Sequence, residues 1–99
     1  MSESAPRTSV VIPVYNEEGI LSASIHDLIA KIDASDKLDL DTFEIILSAN
    51  GCVDRTVDIA YQLMKRYPQL RLLQSEEPNY GKALRMGIEA ARGTYVVCD

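Results

Sequence analysis

The chain has 99 residues, 46% of them hydrophobic and 25% charged, which suits one small soluble domain or part of a larger one. Its formal net charge of −5 argues against a nucleic-acid or anionic-membrane binder, since those more often show a basic face. No apolar run reaches the roughly 18 residues of a spanning helix, and the polar opening MSESAPRTS lacks the apolar stretch of a signal peptide. Residues 1–8 are therefore read as a flexible leader. Cys52 and Cys98 do not form a spaced metal motif. Without a secretory signal, both are expected as reduced thiols in a cytoplasmic protein.

The first element is the nearly continuous apolar run SVVIPV, Ser9 to Val14, a strand buried on both faces. Pro13 lacks a ladder donor and belongs at its C-terminal end. From Glu18 the period becomes helical: Ile20, Leu21, Ile25, Leu28, Ile29 and Ile32 share one face. Glu17 and Glu18 then sit at the positive end of the helix dipole. That helix is expected to end near Ala34. FEIILSA, Phe43 to Ala49, is a second buried strand, and NGCVDR is turn chemistry with Asp54 as a helix cap. Val57, Ala60, Leu63, Met64 and Tyr67 mark a second amphipathic helix, stopped by Pro68. LRLLQS is a third strand. NYGKALRMGIEAARG is a third helix, with Ala83, Gly87, Ile88 and Ala91 on a close-packing face and Gly93 as a left-handed cap. TYVVCD begins a fourth strand. The order β-α-β-α-β-α-β implies crossover connections and a mostly parallel sheet.

In open sheets of this kind, ligands bind beyond the carboxyl ends of the strands. That rule singles out PVYNEE, ANGCVD and the terminal Asp99. Neither GxGxxG nor GxxxxGK[ST] is present, so neither glycine-rich phosphate cradle is expected. The lone His26 has no partner at metal spacing and supports no Ser-His-Asp triad. What remains is a set of groups at one edge. Tyr15 can stack on a flat ring, or cover the core. Glu17 can accept from ring N–H or sugar hydroxyls, or answer the helix dipole. Asn50 can read a base edge, or only make the turn. Lys82 can meet a phosphate or stay solvated. Asp99 is a hard oxygen donor suited to Mg²⁺ or Mn²⁺ at a diphosphate.

Three segments carry a resemblance over nearly the whole chain, from about Ser9 to Asp99. SVVIPVYNEEGIL resembles the opening of family 2 glycosyltransferases, with its P-x-Y-N-E segment. NGCVDRT resembles the second signature, commonly D-G-S-x-D-x-T, with Asn50 in place of the leading Asp and Cys52 in place of Ser. NYGKALRMGIEAARGTYVVCD resembles the third stretch, N-x-G-K-x-x-A-x-x-x-G, followed by a strand into a D-x-D motif. The resemblance implies the nucleotide-binding, Rossmann-like half of a GT-A fold, here residues 9–99, ending at or just before the metal motif. It implies that Pro13, Tyr15 and Glu17 line a base and ribose pocket, that Asn50 contacts the base, that Lys82 lies near the diphosphate, and that Asp99 belongs to or adjoins the motif for Mg²⁺ or Mn²⁺.

The implied reaction is transfer of a sugar from a nucleotide-diphosphate sugar to an acceptor, with inversion. The resemblance is compatible with lipid-phosphate, polysaccharide and protein acceptors. No catalytic residue is expected within residues 1–99, because the family's acceptor half and base lie beyond them. The 99-residue chain alone is expected to transfer nothing, and an unpaired strand edge at its end is expected to favour self-association. Two other readings are a non-catalytic α/β ligand-binding or protein-interaction module and an unrelated flavodoxin-like domain.

Overall fold

The computed structural model describes residues 6–35 and 37–98. The apolar runs become four strands: β1 (Thr8–Val14), β2 (Phe43–Asn50), β3 (Leu70–Ser75) and β4 (Tyr95–Cys98). The helical periods become α1 (Leu21–Ala34), α2 (Thr56–Arg66) and α3 (Tyr80–Ala90), with a 3₁₀ turn at Leu40–Thr42. All strand pairs are parallel, in the order β3-β2-β1-β4. The chain thus builds outward from β1 in one direction and then returns to its other side. The carboxyl ends around β1 are the switch point, where a doubly wound sheet opens a crevice.

Alternation along the strands divides the core into two layers. Val10, Val14, Ile45, Leu47 and Ala49 pack with Leu21, Ile25 and Ile29 of α1 and with Ala60 and Leu63 of α2. On the other face, Val11 and Ile46 are fully buried and α3 lies against β1 and β2. Gly87 permits that approach, because a Cβ there would stand 2.2 Å from Val11 Cγ1. Ile45, Ile46 and Leu47 show no exposed surface, so β2 has both faces covered. Each such side chain contributes about 1.5–3 kcal/mol of burial. β4 is the contrast: all four of its residues are exposed, and its outer edge has no strand beside it among the described residues.

Some expectations shift. β1 begins at Thr8 rather than Ser9, and Arg7 already donates its N–H to Thr42 O at 2.8 Å. The rest of the expected leader, residues 1–5, lies outside the described residues. α1 begins at Leu21, not Glu18, and has no acidic residue in its first turn. Glu17 and Glu18 precede it because their amides are held by side chains of the next loop, as described below. Ile88 is 46% exposed and does not belong to the close-packing face of α3.

Gly93 is not a left-handed cap. α3 ends through Ala91 in extended geometry, φ −65° and ψ 137°. Gly93 is instead a point of contact, where a Cβ would lie 2.7 Å from Ser9 N and 2.9 Å from Thr8 C. Its N–H donates to Ser9 Oγ at 2.8 Å. Position 93 therefore needs a glycine for space rather than for backbone sign.

The same corner holds a buried polar hub absent from the expectations. Glu44, 3% exposed near the start of β2, accepts from Ser9 Oγ (2.6 Å), Arg71 Nη1 (2.8 Å), Arg92 N (2.7 Å) and Arg92 Nε (3.3 Å). One carboxylate thereby joins β1, β2, β3 and the α3–β4 connection at the edge opposite the crevice. Burial pushes the Glu44 pKa up. The hydrogen bonds from Ser9, Arg92 and Arg71 and the Arg71 charge outweigh that and hold it at about 2, against an ordinary 4.5.

A depressed carboxylate stabilises the fold fully above its unfolded pKa and loses that contribution as pH falls through its folded pKa. Glu44→Gln is therefore expected to cost about 3 kcal/mol at neutral pH. The gap from the natural protein should close as pH falls from about 4.5 towards about 2. Urea unfolding at several pH values measures it. A gap independent of pH over that range would contradict the ionised hub.

Candidate functional site

Three connections meet at the carboxyl ends of the strands: β1–α1, β2–α2 and β3–α3. After Val14 the chain must leave the sheet sharply, and Asn16 does this in the left-handed region at φ 47°. Asparagine tolerates that region better than most residues. Its Oδ1 then accepts from Val53 N at 2.9 Å and from Asp54 N at 3.4 Å, reaching across to the β2–α2 loop.

The second loop answers in kind. Asp54 sits one residue outside the formal cap position of α2, which Arg55 occupies without a side-chain bond. Its Oδ1 accepts from Thr56 N at 2.9 Å and from Thr56 Oγ1 at 2.5 Å, and its Oδ2 accepts from Glu18 N at 3.3 Å. Desolvation pushes its pKa up, but the two Thr56 bonds and the Glu18 amide outweigh it and hold the carboxyl below its ordinary value. Thr56 is fully buried. Its hydroxyl donates to Asp54 and accepts from Glu17 N at 2.7 Å. A chain of bonds, Asp54 to Thr56 to Glu17, thus welds the two loops together. It also explains why Glu17 and Glu18 stand outside α1.

The third connection closes the other side. Gly51 has φ +64°, and a Cβ there would lie 2.6 Å from Pro78 N, so only glycine lets the β3–α3 loop come this close. Gly51 N donates to Ser75 O at 2.8 Å. Asn79 then caps α3, its Oδ1 accepting from Lys82 N at 2.9 Å.

These contacts shape a hollow of about 400 Å³ lined by Pro13, Tyr15, Glu17, Asn50, Pro78 and Tyr80. Four of the six expected site residues converge there from two strand ends. Tyr15 is half-exposed, and Glu17 Oε2 accepts from Tyr15 N at 3.1 Å. Asn50 is 4% exposed and donates from Nδ2 to Val14 O at 2.8 Å, an oxygen it shares with Cys52 Sγ at 3.7 Å. Lys82 does not line the hollow. Its Nζ lies 3.6 Å from Glu77 Oε1 in an exposed pair, a weak interaction that leaves the ammonium available to a stronger anion. Asp99 lies outside the described residues.

Pro78 and Tyr80 were missed by sequence reasoning although both stand in the PNYGK stretch. Nothing local marks them; Gly51 brings them in. A second hollow, about 520 Å³, lies between β2 and β3 and is lined by Cys52, Val53, Val57 and Gln74 among others. It is larger, but it lacks the paired aromatic rings and draws none of the expected residues.

The model of glycosyl transferase family 2 matches residues 9–98. The chain belongs to glycosyl transferase family 2. It is 33% identical over 91 residues to the uncharacterized glycosyltransferase EpsJ of Bacillus subtilis, covering 92% of this chain and 24% of that protein. It is 34% identical over 92 residues to the dolichyl-phosphate beta-glucosyltransferase of Dictyostelium discoideum, covering 88% of this chain and 28% of that protein. For the human dolichyl-phosphate beta-glucosyltransferase the identity is 32% over 94 residues, 90% of this chain and 29% of that protein. The chain thus spans about a quarter of the length of these curated relatives. The fold of this family 2 segment is the expected Rossmann-like half, with strands and helices alternating around an all-parallel sheet.

No set of three or more His, Cys, Asp or Glu side chains among the described residues is placed to hold a metal ion. No helix among them is long and apolar enough to cross a membrane.

The weld between the loops makes a direct prediction. Thr56→Val keeps the shape but leaves Glu17 N without its acceptor and removes the hydroxyl donor of Asp54, which keeps the Thr56 and Glu18 amides. A loss of about 1–3 kcal/mol is expected, with faster hydrogen exchange at the Glu17 amide and recovery of both in Thr56→Ser. Unchanged exchange at Glu17 in Thr56→Val would contradict the coupling of the loops.

Proposed function

We propose that this chain is the nucleotide-sugar-binding part of a glycosyltransferase that moves a sugar from a nucleotide-diphosphate donor to an acceptor with inversion. The observation that carries the reading is the convergence of Pro13, Tyr15, Glu17 and Asn50 on one hollow walled by two tyrosines. An aromatic ring beside a hollow of this size suits a flat base, whose π-face stacks on it. Glu17 offers a carboxylate to ribose hydroxyls, and Asn50 lies at the end of β2 where a base edge would reach. Lys82, on the first turn of α3, supplies a positive charge for the diphosphate.

A divalent ion, Mg²⁺ or Mn²⁺, is part of this proposal through Asp99. The described residues do not form a metal site by themselves, so it rests on Asp99 and the family resemblance. When bound, such an ion offsets charge on a leaving diphosphate. A cytoplasmic location is likewise proposed; the unpaired thiols of Cys52 and Cys98 suit a reducing compartment. We extend the proposal to self-association through the exposed outer edge of β4. The non-catalytic module has no observation in its favour.

Calorimetric titration of the full-length protein with nucleoside diphosphates tests the site. Tyr15→Ala and Tyr80→Ala are each expected to weaken binding by about 1–3 kcal/mol, the range of a lost stacking contact. Gln74→Ala, in the other hollow, should leave it unchanged. Weakening by Gln74→Ala alone would move the ligand out of the proposed site.

A further inference from the structure

We propose that the larger hollow, between β2 and β3, is a second binding site, and that it takes a small organic cation: an ammonium or guanidinium group on a short apolar stem. This does not depend on the nucleotide reading above. The hollow arises from the pattern of the sheet. Alternate residues of β2 and β3 face the α1–α2 layer as cross-strand pairs: Ile45 with Leu70, Leu47 with Leu72, and Ala49 with Gln74. The first two pairs are large and apolar, and they fill the space under the helices. The third sets a single methyl group beside an amide. A space of about 520 Å³ is left there, next to Val57 in the first turn of α2.

The groups around that space select the ligand. Ala49, Val53 and Val57 give it apolar walls, and Val53 is 87% exposed, an apolar side chain with little over it. Tyr61 stands one turn beyond Val57 on the same face of α2. It is half-exposed, and its hydroxyl accepts from Gln74 Nε2 at 3.1 Å. Because Gln74 lines the hollow, that bond holds the tyrosine at its edge. No aromatic or cationic group covers the Tyr61 ring among the described residues. The face of such a ring attracts a cation. Glu76 is the one charged residue in the lining, and no ion pair among the described residues engages it. The neighbouring Glu77 is the one that takes Lys82. Arg55, just before α2, does not line the hollow.

Apolar walls, an open aromatic face and an unpaired carboxylate together match an organic cation. Its stem lies against the valines and its head meets Tyr61 and Glu76. A diphosphate meets the same carboxylate with like charge, so the hollow disfavours the anionic ligand proposed for the smaller one. Gly51 and Ser75 line this hollow, and Asn50 and Pro78 line the other. The close contact of Gly51 with Pro78 therefore stands between two sites of opposite charge preference.

Amide chemical-shift titration of the isotope-labelled full-length protein tests this, with n-butylammonium, n-butylguanidinium and neutral n-butanol at constant ionic strength. At least one of the cations is expected to shift Val57 and Gln74 saturably and to bind about tenfold or more tighter than the alcohol. Glu76→Gln should weaken that cation by about two- to fivefold. Ala49→Leu should fill the hollow and abolish the shifts; if that variant does not fold, the comparison with butanol and Glu76→Gln decide. Equal or tighter binding of butanol, indifference to Glu76→Gln, or shifts that persist in a folded Ala49→Leu would overturn the inference. So would the absence of saturable shifts at Val57 and Gln74 with both cations, and in each case the nucleotide reading stands.

Discussion

The hydroxyl of Thr56 joins two loops that the sequence separates by 39 positions, taking the Glu17 amide on one side and giving its proton to Asp54 on the other. The first wall of the smaller hollow depends on that arrangement. It stops α1 from starting at Glu18, and so leaves the Tyr15–Glu17 segment free to form one wall of the hollow. Asn16 adds a second tie in the opposite direction, from the first loop to the amides of the second. Thr56 is fully buried, so removing its hydroxyl leaves the partly buried Glu17 amide without its acceptor, at the cost of an unmade hydrogen bond.

The sheet has a polar fastening at each end, and the two differ in kind. At the carboxyl edge, the Thr56 hydroxyl, the Asn16 amide and the partly exposed Asp54 carboxylate position backbone around a hollow. At the opposite edge, Glu44 gathers two arginines, a serine and a main-chain amide into a charged knot. A chain of this size buries a modest share of its surface, so these hubs complement the apolar layers rather than decorate them. The division leaves Glu44 as the one charged residue among the buried polar ones described, away from the carboxyl edge of the sheet.

Much of the fold was legible because it rests on local pattern. The apolar runs of β1 and β2 and the helical periods of α2 and α3 carry their own period, and Pro68 and the Asn-Gly turn punctuate them. The convergence of Pro13, Tyr15, Glu17 and Asn50 on one hollow was legible because the sheet rule and the family resemblance both point to that edge. Illegible were the positions whose role is set by a distant partner. Gly93 reads as a helix cap until Ser9 and Thr8 are seen to fill the space around it. Glu44 reads as a strand polar residue until Arg71 and Arg92 reach it. Tyr80 reads as the second residue of a helix until Gly51 draws Pro78 inward. Helix α1 starts late for the same reason, since tertiary bonds to Glu17 and Glu18 override local helix preference.

The central claim is that nucleotide binding occurs in the hollow between Tyr15, Asn50 and Tyr80 rather than in the larger one beside Gln74. Backbone amide chemical-shift mapping of the isotope-labelled full-length protein, titrated with a nucleoside diphosphate, addresses that most directly. The account predicts shifts concentrated at Tyr15, Glu17, Asn50 and Tyr80, with the amides around Val57 and Gln74 and those of the Glu44 hub unmoved. Shifts concentrated at Val57 and Gln74, with Tyr15 and Asn50 unmoved, would contradict it.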